Sequence, residues 1–318
     1  MSDITLGARY RTSSESLVSS WMPSAPTRSL VVQYLLIGGG GGAGCTTGTS
    51  GPTSGGGGAG AYINSAQVAS ETSGGASGNR WAESTIELPS GNYSIIIGAG
   101  GSGASSSSGP FVLTDSTSGS PTYFIGQRIS IIAEGGGRGG VASSSNYSGS
   151  SINGGSGGSG GGGGAGTDGN GSGGSGIANR GNNGGSGGGS SGTAKAGAGG
   201  GADTAGGNGS DSAIGTAGVG LSSSITGSAL TRAAGASGRT SSGTASNGTT
   251  NRGNGGQGAW TTPGGNGGSG VVIIRYITGE KASKDLTVTG GTITTSGIYT
   301  VHTFNSSDTL RIYSTSVG

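Results

Sequence analysis

Residues 153–169 read NGGSGGSGGGGGAGTDG, and taken in threes they resolve into phases. Gly154, Gly157, Gly160, Gly163, Gly166 and Gly169 share one phase, and Gly155, Gly158, Gly161 and Gly164 the next. The third phase holds Ser156, Ser159, Gly162 and Ala165. A period of three matches polyproline II geometry, a left-handed helix with about 3.1 Å rise per residue. Such a rod has two edges of bare backbone, so neighbouring rods can approach to hydrogen-bonding distance, with Cα–H···O contacts in addition. The third phase is expected to point outward. The phase recurs in Gly264–Gly270 and, less regularly, in Gly184–Gly188. The competing reading of the same composition is a flexible Gly/Ser linker.

Working outward, 82 of the 318 residues are glycine, 9% are charged and 5% aromatic, with net charge +2. That much glycine makes disorder the default expectation, whereas the low net charge and strongly apolar runs argue against it. Residues 148–259 contain no aromatic, and Ile152, Ile177, Ile214, Val219, Leu221, Ile225 and Leu230 are their large aliphatics. Burying each contributes about 1.5–3 kcal/mol, against roughly 1–2 kcal/mol per residue to order backbone. Side chains cannot hold this segment. It is either disordered or held by contacts between backbones.

The flanks read differently. Ser29–Ile37 (SLVVQYLLI) is a nearly continuous apolar run that enters Gly38–Gly42, and Gly270–Ile277 (GVVIIRYI) mirrors it. Both suit buried strands, and the pattern predicts that they share one sheet. A short strand is expected near Tyr62–Ile63. Trp81–Leu88 and Asn92–Ile97 flank Pro89-Ser90-Gly91 and read as a hairpin. Phe111–Leu113, Tyr123–Ile125 and Ser130–Ala133 read as further strands, and Lys281–Gly318 as short antiparallel ones.

The fold class expected is therefore all-β, with a large glycine-rich insertion packed as polyglycine II helices and no α-helical domain. The predicted organisation is an N-terminal arm over 1–28, a β-sandwich over 29–279 carrying the glycine field at about 135–270, and a small antiparallel β-module over 280–318.

No constellation for catalysis stands out, so no enzyme activity and no cofactor are expected. Cys45 is alone, which excludes a disulfide framework. The first 25 residues lack the apolar core of a signal peptide, and no apolar run is long enough to span a membrane. The basic residues are scattered, so no nucleic-acid partner is expected, and one arginine in Gly137–Gly140 does not make an RNA-binding box. GxGxxG recurs, but no helix follows it to form a dinucleotide site. His302 has no second ligand and is expected to pack or face solvent.

Three segments carry a resemblance: VVQYLLIGGGGGAG, ELPSGNYSIIIGAGG and GGNGGSGVVIIRY. They resemble the glycine-rich domain of tail-fibre and adhesin proteins of tailed bacteriophages, and GGTITTSGIYTVHTF resembles a β-module that accompanies it. The resemblance covers about Leu30 to Ile312. It implies a sandwich of parallel and antiparallel polyglycine II helices whose end loops contact the host surface, and hence a non-enzymatic virion protein of tail-fibre or tip-adhesin type. It implies location on the particle surface, contacts to other virion proteins through the N-terminal segment and the β-module, and a host glycan or outer-membrane protein as partner. A homo-oligomer such as a trimer is also compatible. The alternative is a purely structural capsid, fibre or matrix protein. Since glycine rods present nothing distinctive, recognition falls to loops. Asn146, Tyr147, Asn179, Arg180, Asn182 and Trp260 are the candidates, because such side chains combine contact area with hydrogen bonding. Against this, asparagine also serves turns, and Trp260 packing.

Overall fold

Ser29–Ile37 (β1) pairs antiparallel with Val271–Ile277 (β13), Leu36 opposite Val272 and Ile37 opposite Val271. The two apolar runs, far apart in sequence, are central neighbours in one sheet, as their composition predicts. The computed structural model describes residues 28–46, 53–66, 71–75, 81–106, 113–142, 152–167, 169–190, 192–238, 244–260 and 263–314. The first sheet is six-stranded. It runs Thr292–Ser296 (β15), Tyr299–Phe304 (β16), β13, β1 and Tyr62–Asn64 (β2), with Ile86–Pro89 (β3) also on β1. The second is five-stranded: Leu286–Thr289 (β14), Asp308–Ser314 (β17), Gly91–Ile96 (β4), Thr122–Gly126 (β7) and Ile129–Ala133 (β8).

Strand alternation sorts the side chains. Leu30, Val32, Tyr34 and Leu36 of β1 and Val272, Ile274 and Tyr276 of β13 face the second sheet, meeting Tyr93, Ile95, Phe124, Leu310 and Ile312. Tyr93 and Phe124 meet edge to face, their rings 6.0 Å apart. Leu35, Ile37, Val271 and Ile273 point the other way, against Ala202, Ile225 and Ala233. With both faces covered, the strands need apolar side chains at successive positions, and the sequence loses its alternation.

Two expectations are corrected. Trp81–Leu88 and Asn92–Ile97 do not form a hairpin: β3 pairs with β1, while β4 lies between β17 and β7 in the other sheet. Ser90 carries the chain across the sandwich, and Tyr93 Oη donates to Pro89 O at 2.6 Å over that corner. Both sides of β4 are already occupied, so β3 takes the edge that β1 offers. Nor do the described residues of the 280–318 segment form a separate module. After the short helix Thr278–Ser283 (α1), β14 and β17 extend one sheet and β15 and β16 the other. Leu286, Val288, Phe304, Leu310 and Ile312 belong to the common core.

The glycine segments continue the sandwich strands lengthwise. β1 runs into 38–44, β4 into 97–104 and β8 into 134–142, while 53–61 leads into β2, 115–121 into β7 and 263–270 into β13. The field thus begins at Gly38 and is larger than the expected 135–270. Its centre shows how it coheres. From 159 to 165 successive N–H groups donate in rotation to rods 53–61, 182–188 and 152–157: Ser159 to Ala59, Gly160 to Asn182, Gly161 to Gly155, then Gly162 to Gly56 and onward. The carbonyls accept in rotation from 134–142, 194–201 and 171–177. Three donating and three accepting directions give this central rod six neighbours, a hexagonal arrangement of mixed direction. Residues 38–44 do the same with 53–61, 115–121 and 263–270 as acceptors, and 134–142, 97–104 and 253–259 as donors.

The approach is too close for side chains. A Cβ on Gly40 would lie 2.0 Å from Asn254 O, and one on Gly163 2.1 Å from Gly171 O. The expected outward third phase holds at Ser156, which is exposed, but not beyond it. The chain reverses near Gly158, and Ser159 and Ala165 are fully buried because the central rod has no outer edge.

Candidate functional site

The rods are antiparallel or parallel to one another but share one axis, so their connections fall at two ends. At the end away from the sandwich lie Ala165–Gly166 (β9) paired with Gly169–Asn170 (β10), the bridge between Gly188 and Lys195, the turn at 210–213, and the pair Ser105–Ser106 (β5) with Leu113–Thr114 (β6). These turns brace one another. Asp211 Oδ1 accepts from Ser190 N at 2.5 Å and from Thr193 Oγ1 at 2.6 Å, joining two of them. Thr193 first, and Ser190 second, hold the Asp211 carboxyl below its usual range. Asn170 Nδ2 donates to Gly189 O. Beneath them Cys45, Ala104, Val141 and Ala259 form a small apolar plug. Burial there pushes the Cys45 thiol up to about 12, which leaves it a packing group rather than a nucleophile.

The candidate recognition residues are divided between the two ends. Trp260 follows Ala259 at the distal end, half-buried. Asn146 and Tyr147 lie outside the described residues. Asn179, Arg180 and Asn182 sit at the opposite end, against the sandwich. Asn179, 4% exposed and at φ 53°, accepts from Trp81 N at 2.9 Å and donates to Glu83 Oε1. Arg180 pairs with Glu83 at 2.7 Å. Asn182, 7% exposed, donates from Nδ2 to Gly201 O and Ala202 O. Asn179 and Arg180 hold the field to the β2–β3 connection, and Asn182 ties two rods of the field to each other.

Many other asparagines act as substitute carbonyls. At the bundle's rim a rod lacks a neighbour on one side, and an unpaired N–H is costly. Asn153 Oδ1 accepts from Ser172 N, Asn208 from Ser186 N, Asn247 from Asn266 N and Asn254 from Ala234 N, all at 2.8–3.0 Å.

A polar seam, invisible in the sequence, joins the field to the first sheet. Arg275 Nε donates to Gln33 Oε1 at 2.7 Å, its Nη1 to Ser224 O and Ile225 O, and its guanidinium lies 4.5 Å over the Tyr299 ring. Glu71 accepts from Ser223 Oγ, Ser224 N and Asn64 Nδ2. Together they clamp the hairpin of Leu221–Ser223 (β11) and Leu230–Arg232 (β12) onto the sheet. His302 is fully buried in the sandwich between Tyr276 Oη and Gly290 O, at 3.1 and 2.7 Å. Among the described residues no group of three His, Cys, Asp or Glu could hold a metal ion, and no helix is long and apolar enough to cross a membrane.

No curated protein matches the chain. A family model for a glycine-rich domain matches residues 15–277, ending at the last residue of β13 although the strands after it complete both sheets. With most of its length matched, the chain belongs to that glycine-rich domain family.

Proposed function

We propose that this is a non-enzymatic virion protein of the tail-fibre or tip-adhesin type, which binds the host cell surface, a glycan or an outer-membrane protein, through its distal turns. One observation carries the reading: the rods gather their far turns onto a single face, braced by Asp211, Ser190 and Thr193, opposite the sandwich. Rigid, clustered turns lower the ordering cost of binding. Arg28, where the N-terminal segment enters, is tied to Asp285 and Ser314 at the sandwich end. Attachment to other virion proteins and recognition of the host then lie at opposite ends of the particle-surface protein.

A purely structural role is the second reading. It is favoured by the asparagines, whose side chains are engaged in closing the bundle rather than offered to a ligand. Cell binding by the purified protein decides between the two. Trp260→Ala combined with Lys195→Glu is expected to weaken adhesion by about ten-fold or more while leaving the melting temperature in place. If wild-type protein adheres to no candidate host, or the variant adheres equally, the structural reading replaces this one.

A further inference from the structure

The two sheets of the sandwich present edges at β2, β3, β8, β14 and β15. β2 is taken by the field, since Tyr62 N donates to Arg180 O and Gly74 N to Tyr62 O. α1 packs beside β14. β3 carries Glu87 and ends in Pro89, and β8 lies between Arg128 and Glu134. Charge and proline at an edge discourage further pairing. β15 has none of these devices. It reads TITTS, uncharged and β-branched at every position but the last, and Thr292 to Thr295 are all exposed. Ile293 is 50% exposed, and Ile298 in the adjoining turn 63%. Ser296, which the turn at Gly227 approaches, is half-buried.

The register fixes which backbone groups of this edge are free. Ser296 and Tyr299 face each other across the two-residue turn Gly297-Ile298, so they are the hydrogen-bonded pair that closes the hairpin. Thr294 opposite Val301 and Thr292 opposite Thr303 are the next such pairs. Ile293 and Thr295 therefore turn their N–H and C=O groups outward, and among the described residues neither makes any other backbone bond.

We propose that this edge joins two copies of the chain, β15 against β15, antiparallel about a twofold axis at Thr294. In that register Ile293 of each copy faces Thr295 of the other, and both outward N–H groups of each strand meet both outward C=O groups of its counterpart. Thr294 lies opposite Thr294 of the other copy, close enough for their hydroxyls to bond. No charge is set against its like. A slip by two residues would set Thr295 against Gly291, whose N–H is held by Asp308, or Ile293 against the turn residue Gly297. The centred register is thus the one that satisfies the whole edge. Because the rods continue the strands lengthwise, the axis sends the two bundles in opposite directions, with the distal turns at the two ends of the pair. The inference does not rest on the adhesin reading, since β15 belongs to the sandwich.

A strand pair this short makes a small interface, so association is expected at micromolar rather than nanomolar concentration. The test is sedimentation velocity of the full chain across a micromolar dilution series, where wild type is expected as a dimer that dissociates on dilution. Thr295→Pro removes an outward donor and leaves the inner ladder to β16 in place, and should weaken the dimer by about ten-fold or more. Thr294→Lys and Thr294→Glu each set like charges opposite one another at the axis and should each be monomeric, with the melting temperature of the monomer retained. An equal mixture of the two should dimerise again, which a folding defect would not produce. Trp260→Ala, at the distal end, should pair as wild type, so failure of adhesion and failure of this edge are read separately. A wild type that stays monomeric would leave the edge to a strand of another protein and overturn the proposal. So would an oligomer that the Thr294 variants leave unchanged, or a mixture that stays monomeric. Should Thr295→Pro not fold, the Lys and Glu variants alone give the answer.

Discussion

At Gly38 one continuous chain passes from one kind of solid to another. Up to Ile37 it is a strand whose neighbours are held apart and together by side chains; Leu35, Leu36 and Ile37 are fully buried. From Gly38 onward it is a rod whose neighbours meet backbone to backbone, with N–H groups turning through three directions in succession. In the sandwich, hydrophobic burial offsets ordering, and backbone bonds run within sheets. In the bundle no large core exists, and the ordering of glycine, which is entropically expensive, is offset by hydrogen bonds and close contacts on every side. The two halves should therefore fail in opposite ways: the sandwich when a side chain is made smaller, the bundle when one is added.

The sharpest way to break this contrast is Gly163→Val. Its Cβ would lie 2.1 Å from Gly171 O inside a rod with neighbours all round, so a loss above about 4–5 kcal/mol is expected. Soluble protein melting as wild type would refute the bundle. Next comes Phe124→Ala, fully buried between the sheets. Here about 3–5 kcal/mol is expected from the lost burial and the cavity left behind. If hydrogen exchange shows the amides of 159–165 deprotected to the same degree as those of β4 and β7, the halves unfold as one. Protection retained in 159–165 would separate them.

A smaller effect is pH dependence. Burial first, with Lys281 adding a little, holds His302 below its usual 6.5, against the bond to Gly290 O that acts the other way. Because the folded value is depressed, the unfolded chain binds the proton more readily, and this part of the stability is present above about pH 6.5 and lost as pH falls below it. Asp308, which accepts from Gly291 N, is the carboxylate on the adjoining turn, and its own value is lowered, so it titrates below this window. The wild-type melting temperature is expected to drop between neutral pH and about 5. A His302→Gln variant should be less stable throughout but flat across that range. A flat wild type would show that the imidazole finds water. Smallest is Ser156→Val. The residue is exposed at the rim, so a change within about 0.5 kcal/mol is expected, although its Oγ accepts from Ser175 N at 3.3 Å. A loss as large as at Gly163 would mean that rim and centre are not distinct.

Much of the candidate site was not legible in this way. Asn179, Arg180 and Asn182 were picked out as polar groups in a turn-like segment; Asn179 and Arg180 do occupy a turn, and Asn182 opens the rod that follows it. Which end of the bundle holds that turn depends on how many rods precede it and where each reverses. The chain reverses near Gly158 without a proline, a charge or a large side chain to mark it. Trp81 and Asn179 lie far apart in sequence and meet where the Trp81 amide donates to Asn179 Oδ1. The hairpin expected across Ser90 failed for a similar cause: local turn chemistry marks a change of direction, and the free edge of β1 decides where the chain goes.

The sequence by itself determined the materials. Period-three glycine dictated rods, because only a residue without a Cβ permits backbones to touch on several sides. The two apolar runs dictated buried strands, and their glycine flanks implied a common sheet. The tertiary structure alone decided the rest: that rods continue strands end to end from Gly38, that residues 286–314 complete both sheets, and that the central third phase is buried at Ser159 and Ala165. The physical reason is that identical glycine rods carry no side-chain code to tell one neighbour from another. Their order is set by the lengths of the connections and by the strands that feed them, and these are properties of the assembled whole.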